Sequence, residues 1–127
     1  MALYLLLLLS GLQIKHFVAD YLLQTHRMIM EKASFRKPGG YLHVAIHAVG
    51  TLLILLLAGV PLSLTALLVA GEAIAHYLID YGKANWSCRK PPDIAKASFW
   101  AAHGADQLLH QLTYTLMIYL VLLSRGG

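Results

Sequence analysis

Along this chain, long apolar runs are interrupted at regular places by histidine and carboxylate. The leucine-rich stretches predict four helices, at about Ala2–Gln24, Tyr41–Ala58, Leu62–Lys83 and His103–Ser124. Each is close to the roughly 20 residues a helix needs to cross a bilayer. Little sequence is left over, so the predicted fold class is all-α: one four-helix transmembrane bundle over residues 1–127. Pro38-Gly39-Gly40 and Pro91-Pro92 predict breaks between helices, because proline cannot donate to a helical ladder and glycine gains little by joining one.

Composition supports lipid as the solvent. With 58% hydrophobic and 13% charged residues, the chain is too apolar for a soluble domain of 127 residues. Its net charge of +4 would otherwise raise the question of nucleic acid, but position answers it. Arg27, Lys32, Arg36 and Lys37 stand between the first two helices, and Arg89, Lys90 and Lys96 between the last two, whereas the Gly59-Val60-Pro61 turn is uncharged. Under the positive-inside rule both basic connections face the cytoplasm and both termini lie outside. The charge therefore reports topology, no nucleic acid is expected, and anionic lipid headgroups at the cytoplasmic face are the expected contacts, at about 1 kcal/mol per basic residue. Trp86 and Trp100 are expected as interfacial anchors. Cys88 is placed in a reducing cytosolic loop, with no disulfide framework. The opening run Ala2–Leu9 is expected to be retained, since no basic residue precedes it and no small-x-small site closes it.

An internal repeat is legible. His16-Phe17-Val18-Ala19-Asp20-Tyr21 returns as His76-Tyr77-Leu78-Ile79-Asp80-Tyr81 at an offset of 60 residues. At that offset Gly11 maps onto Gly71, His43 onto His103 and His47 onto Gln107, whereas Asp106 and His110 map back onto Ile46 and Gly50. The first helix thus corresponds to the third and the second to the fourth. Two such hairpins enter the membrane in the same direction, a parallel repeat about an axis normal to the bilayer, with sites expected near that axis.

An ionisable group inside a span costs roughly 2.5–3.5 kcal/mol on insertion scales and calls for a partner or a task. Here Asp20, Glu72, Asp80 and Asp106 lie within the predicted helices, as do most of the histidines. His16 and Asp20, His43 and His47, Glu72, His76 and Asp80, and Asp106 and His110 are each spaced by four residues, so each set shares one helical face. Because successive helices alternate direction, the pairs His16 and Asp20, His43 and His47, His76 and Asp80, and Asp106 and His110 share one depth near the cytoplasmic end. A hydrogen-bonded network that only joins helices, or an ion pathway, would use similar residues. Four pairs in one layer point instead to a divalent metal (zinc, iron or manganese), with enough ligands for two ions. Gln107 is a candidate donor to a ligand carboxylate, and Lys83 is expected to snorkel to the headgroups. His103 is left open between ligand and surface residue. Ser10, Ser63 and Thr65 lie toward the other face, away from any base, and give little support to serine chemistry.

The run from His16 to Gln24, the histidine at His43, His76 to Asp80 followed by Lys83, and Asp106-Gln107 with His110 together resemble a family of small bacterial inner-membrane proteins catalogued as a domain of unknown function, number 3307. The resemblance covers nearly the whole chain and implies a multi-pass bacterial inner-membrane protein, without assigning an activity. The residues themselves suggest a metal-dependent hydrolase of a lipid or lipid-linked phosphate or ester at the cytoplasmic leaflet. A bound metal would polarise the scissile oxygen and activate water. Expected metal ligands are His16, Asp20, His43, His47, Glu72, His76, Asp80, Asp106 and His110, with Asp20 or Asp106 alternatively the catalytic base. Two other readings stand beside it. One is a haem or di-iron redox subunit, although the Glu-x-x-His spacing of di-iron bundles is absent. The other is a non-enzymatic accessory subunit of a larger membrane complex, or a homo-oligomer.

Overall fold

A computed structural model describes residues 1–88 and 92–126, so Arg89, Lys90 and Pro91 of the second basic connection lie outside the described residues. The elements are α1 (Ala2–Phe17), α2 (His26–Glu31), α3 (Pro38–Leu57), α4 (Leu62–Cys88) and α5 (Ala97–Gly126), with a π-helical turn, Val18–Leu22, continuing α1. No strand occurs among the described residues. α1 with its π-helical turn, α3, α4 and α5 are each long and apolar enough to cross a membrane.

These four helices close a ring. α1 packs on α3, α3 on α4, α4 on α5 and α5 on α1, while the backbones of the diagonal pairs stay apart among the described residues. The helices matched by the repeat, α1 with α4 and α3 with α5, are therefore the diagonal ones, as a two-fold axis through the bundle requires. Both termini and the α3–α4 turn share one end: the Tyr4 hydroxyl and Arg125 Nη2 both donate to the Ala58 carbonyl, at 3.2 and 3.1 Å. Toward this terminal end the core is apolar, built from Leu8, Leu12, Leu55, Val60, Leu68, Met117 and Val121. Toward the opposite, connection end most of the buried side chains are histidines and carboxylates, with Ala19, Met28 and Val44 among them.

Helix ends differ from the pattern-based expectation for local chemical reasons. Pro38-Gly39-Gly40 opens α3 rather than forming a loop, since proline at the first position lacks only an N–H that would be orphaned there. The Gly39 N–H donates to Glu31 Oε2 at 2.7 Å. A Cβ on Gly39 would come within 2.7 Å of that oxygen and 2.8 Å of Glu31 Cβ, so only glycine admits this carboxylate cap. The Arg27 guanidinium, 3.0 Å from Glu31 Oε1, holds the Glu31 carboxyl below the usual range. The expected first connection thus contains α2, whose N-terminus is capped by the Thr25 hydroxyl accepting from the Met28 N–H. α3 stops where Gly59 takes a φ of +70° and the Val60 N–H closes on the Leu55 carbonyl at 3.0 Å. α5 starts at Ala97, ahead of the expected His103, after a turn in which Asp93 accepts from the N–H groups of Ala95 and Lys96. α4 reaches Cys88, so that residue closes a helix instead of standing in a loop.

Candidate metal centre

The π-helical turn supplies the first carboxylate. Its wider ring, marked by the Leu23 N–H bonding the Val18 carbonyl at 3.0 Å, carries Asp20, and the Gln24 amide donates to the Asp20 carbonyl at 3.0 Å. Such turns concentrate at functional sites because they re-aim one side chain within an otherwise regular helix. Asp20 Oδ2 lies 3.0 Å from His16 Nε2 on α1, and its Oδ1 lies 3.2 and 2.9 Å from the Nε2 atoms of His43 and His47 on α3.

The repeat-related aspartate does the same across the axis. Asp80 Oδ2 is 3.3 Å from His76 Nε2 on its own helix and 3.4 Å from His43 Nε2, while its Oδ1 is 3.3 Å from His110 Nε2. His43 Nε2 and His76 Nε2 are 3.3 Å apart, and the repeat-related rings of His16 and His76 stand 6.0 Å apart. His110 Nε2 also approaches Asp106 Oδ1 at 3.5 Å. All five histidines thus turn Nε2 inward, and His43, His47, His76 and His110 are at most 2% exposed.

Three groups have ligand atoms mutually within 4.8 Å: Asp20 with His43, His47 and His76; His16 with His76 and His110; and Asp80 with Asp106 and His110. In tetrahedral coordination at ordinary zinc distances, neighbouring ligand atoms stand about 3.4 Å apart. Within the first group, three of the six ligand-atom separations, 2.9, 3.2 and 3.3 Å, lie close to that edge length, and the whole group lies within 4.8 Å. The residues present therefore suit a divalent ion.

Sequence pattern alone did not assign the lysines that balance these carboxylates. Lys15 Nζ, inside the first span, donates to Glu72 Oε1 at 2.6 Å and to the Tyr114 hydroxyl at 3.0 Å, and lies 3.3 Å from His47 Nδ1. Its stem crosses α3 at Gly50, where a Cβ would come within 2.5 Å of Lys15 Cγ. Lys32 Nζ, from the first connection, reaches Asp80 Oδ2 at 2.9 Å. Lys83 does not snorkel: its Nζ donates to Asp106 Oδ2 at 2.9 Å and stands 3.4 Å from His103 Nδ1. Glu72, expected among the ligands, is in none of the three groups and pairs with Lys15 instead. Gln107 bridges as a donor to Asp106 Oδ2 at 3.1 Å, with its Oε1 3.3 Å from His16 Nε2. Tyr114 holds His16 Nδ1 at 2.9 Å. A lone lysine in an apolar span was the signal available for Lys15; Tyr114, four residues after His110, was the signal for the tyrosine.

The sequence matches the family DUF3307, described as a protein of unknown function, over residues 5–125, and the chain belongs to that family. No curated protein and no solved structure matches it.

Proposed function

We propose that this family member is a metal-dependent hydrolase embedded in the bacterial inner membrane, acting on a lipid or lipid-linked phosphate or ester at the cytoplasmic leaflet. One observation carries the reading. Asp20, His43, His47 and His76, from three of the spanning helices, place their ligand atoms within 4.8 Å of one another, with His16, Asp80, Asp106 and His110 in two further groups beside them. Asp20, His43, His47 and His76 hold the ion in this proposal. A divalent ion there supplies Lewis acidity toward a phosphoryl or carbonyl oxygen.

Charge favours one ion over the two that ligand number alone would allow. Glu72, Asp80 and Asp106 each pair with a lysine, leaving Asp20 without an ammonium partner among the described residues. Hydrolysis adds water across the scissile bond, forming a bond from water oxygen to phosphorus or carbonyl carbon and releasing an alcohol. Asp106, at the edge of the centre, takes the proton from the attacking water and returns it to the departing oxygen. The basic first connection draws anionic headgroups to that side of the bundle.

Protein purified without chelator is expected to carry about one divalent ion per chain by elemental analysis and to release product from a panel of labelled phospholipids and lipid-linked phosphates. Product release should stop with chelator and resume with added metal. Metal-free protein, or metal-loaded protein that releases nothing, overturns the reading. The same lysine pairing supports a second reading, a non-enzymatic subunit whose polar layer joins helices, and metal-free protein would favour that one.

A further inference from the structure

Two cavities meet at the connection end of α4 and α5. The larger, 580 Å³, runs between the helices past Leu78, Gly82, Ala101, Ala105 and Leu109 and reaches Lys83 and Asp106. The smaller, 210 Å³, is a cup whose mainly apolar wall carries the charged or titratable side chains of Lys83, Asp93, Lys96 and His103. Lys83, Trp86, Ser98 and Ala102 line both, so cup and groove adjoin. A Cβ built on Gly82 would meet nothing within 4 Å. The floor of this space belongs to the candidate metal centre, since Asp106 joins Lys83 on one side and His110 on the other.

The repeat provides an internal control. A 410 Å³ groove between α1 and α3 is lined by Val18, Ala19, Leu23 and Ile46, the equivalents of Leu78, Ile79, Lys83 and Asp106. Equivalent positions thus line both grooves, with a lysine and an aspartate between α4 and α5 where the other groove has a leucine and an isoleucine; the lysine that does line the α1/α3 groove, Lys15, is paired with the buried Glu72. The apolar length of that groove lies within helices able to span a membrane, where hydrocarbon is the surrounding medium.

We infer that this space binds a membrane phospholipid, with its phosphodiester against Lys83, Lys96 and His103 and one acyl chain along the groove. The inference deepens the proposed function, naming its substrate class and side of entry, and rests on it for the chemistry that follows binding. Lys96 is two-thirds exposed on its loose pairing with Asp93 at 3.4 Å, and Lys83 keeps a third of its side chain open beside Asp106. Because Lys83 and Lys96 are each already paired with a carboxylate, Asp106 in the groove and Asp93 in the cup, the site has little positive charge to spare and suits a singly charged phosphodiester better than a dianionic phosphomonoester.

Native mass spectrometry of the detergent-solubilised full chain, with chelator present so that nothing turns over, tests this directly. Phosphatidylglycerol is expected to bind at least tenfold more tightly than diacylglycerol of the same chains, and more tightly than phosphatidic acid; glycerol phosphate should not compete. Ala105→Phe, which fills the groove, and Lys96→Ala should each weaken phosphatidylglycerol at least fivefold, whereas Leu53→Phe in the α1/α3 groove should leave it unchanged. Wild-type metal content in Ala105→Phe, measured without chelator, would show that its fold and metal centre persist; if that content is lost, Ala101→Phe takes its place. Equal retention of diacylglycerol, full binding by the groove-filled variant, or a dimer that disappears with it would overturn the inference, the last by making a second copy the occupant. Lipid bound as expected but never hydrolysed in the presence of metal would overturn the hydrolase reading and leave the binding site standing.

Discussion

The two halves of this bundle, α1 with α3 and α4 with α5, carry the same His–Asp unit in different electrostatic settings. Asp20 and Asp80 occupy equivalent places and each faces three imidazoles, but Lys32 lies 2.9 Å from Asp80, and Asp20 has no such ammonium partner among the described residues. Elsewhere the halves complement each other: Lys15 in the first stands where the second has Ala75, and Glu72 in the second stands where the first has Leu12. A duplicated frame can thus place one ion pair across its axis and still leave one of two equivalent carboxylates free for a cation.

Making the halves alike should be most costly where the pair is most buried. Lys15→Ala gives the first half the residue of the second but leaves the Glu72 carboxylate buried without its cation, which is expected to cost about 3–5 kcal/mol. Adding Glu72→Leu, again the equivalent residue, should restore most of the loss. Denaturant unfolding in detergent measures both, and a double variant no more stable than Lys15→Ala would refute this account of the pair.

The two aspartates come next. Asp20→Asn is expected to weaken metal binding about 100-fold, within the range for loss of a ligand or its support, whereas Asp80→Asn should weaken it less than about tenfold. Calorimetric titration of metal-free protein with zinc separates them, and equal losses would mean that the halves share one centre without preference. Smaller again is the effect of Lys32→Met, which frees Asp80 and should raise affinity for a second ion by about tenfold. Unchanged stoichiometry and affinity in that titration would show that the ammonium does not set the difference.

The smallest effect belongs to the first connection, which has no capped counterpart among the described residues of the second half. Because Arg27 lowers the Glu31 carboxyl in the folded chain, its contribution is complete above the ordinary glutamate range and fades as pH falls through the folded value. Glu31→Gln should flatten that acid-side dependence in melting curves recorded against pH, and an unchanged slope would remove Glu31 from the account of how α3 begins.

Much of this was readable in residue order. Four-residue spacing puts His16 beside Asp20 and His76 beside Asp80 whatever surrounds them, and alternating helix direction brings His43, His47 and His110 to the same depth. The same rule misplaced Glu72. Its spacing from His76 set the face correctly, but one turn toward the terminal end it met Lys15 rather than the imidazoles. Pro38-Gly39-Gly40 misled in another way, since proline and glycine mark a break and a helix start equally well, and the choice fell to Glu31 arriving from α2.

Sequence by itself determined that there are four helices long and apolar enough to cross a membrane, the repeat in residue order and the shared depth of the polar layer, because these depend on periodicity within a helix and on segment length. Only tertiary structure decided that α1 and α4 lie diagonally, that Lys15, Lys32 and Lys83 each take a different carboxylate, and that the groove beside Asp106 is open. Those outcomes depend on which helices become neighbours and how far each side chain reaches, and no local spacing encodes a distance between helices.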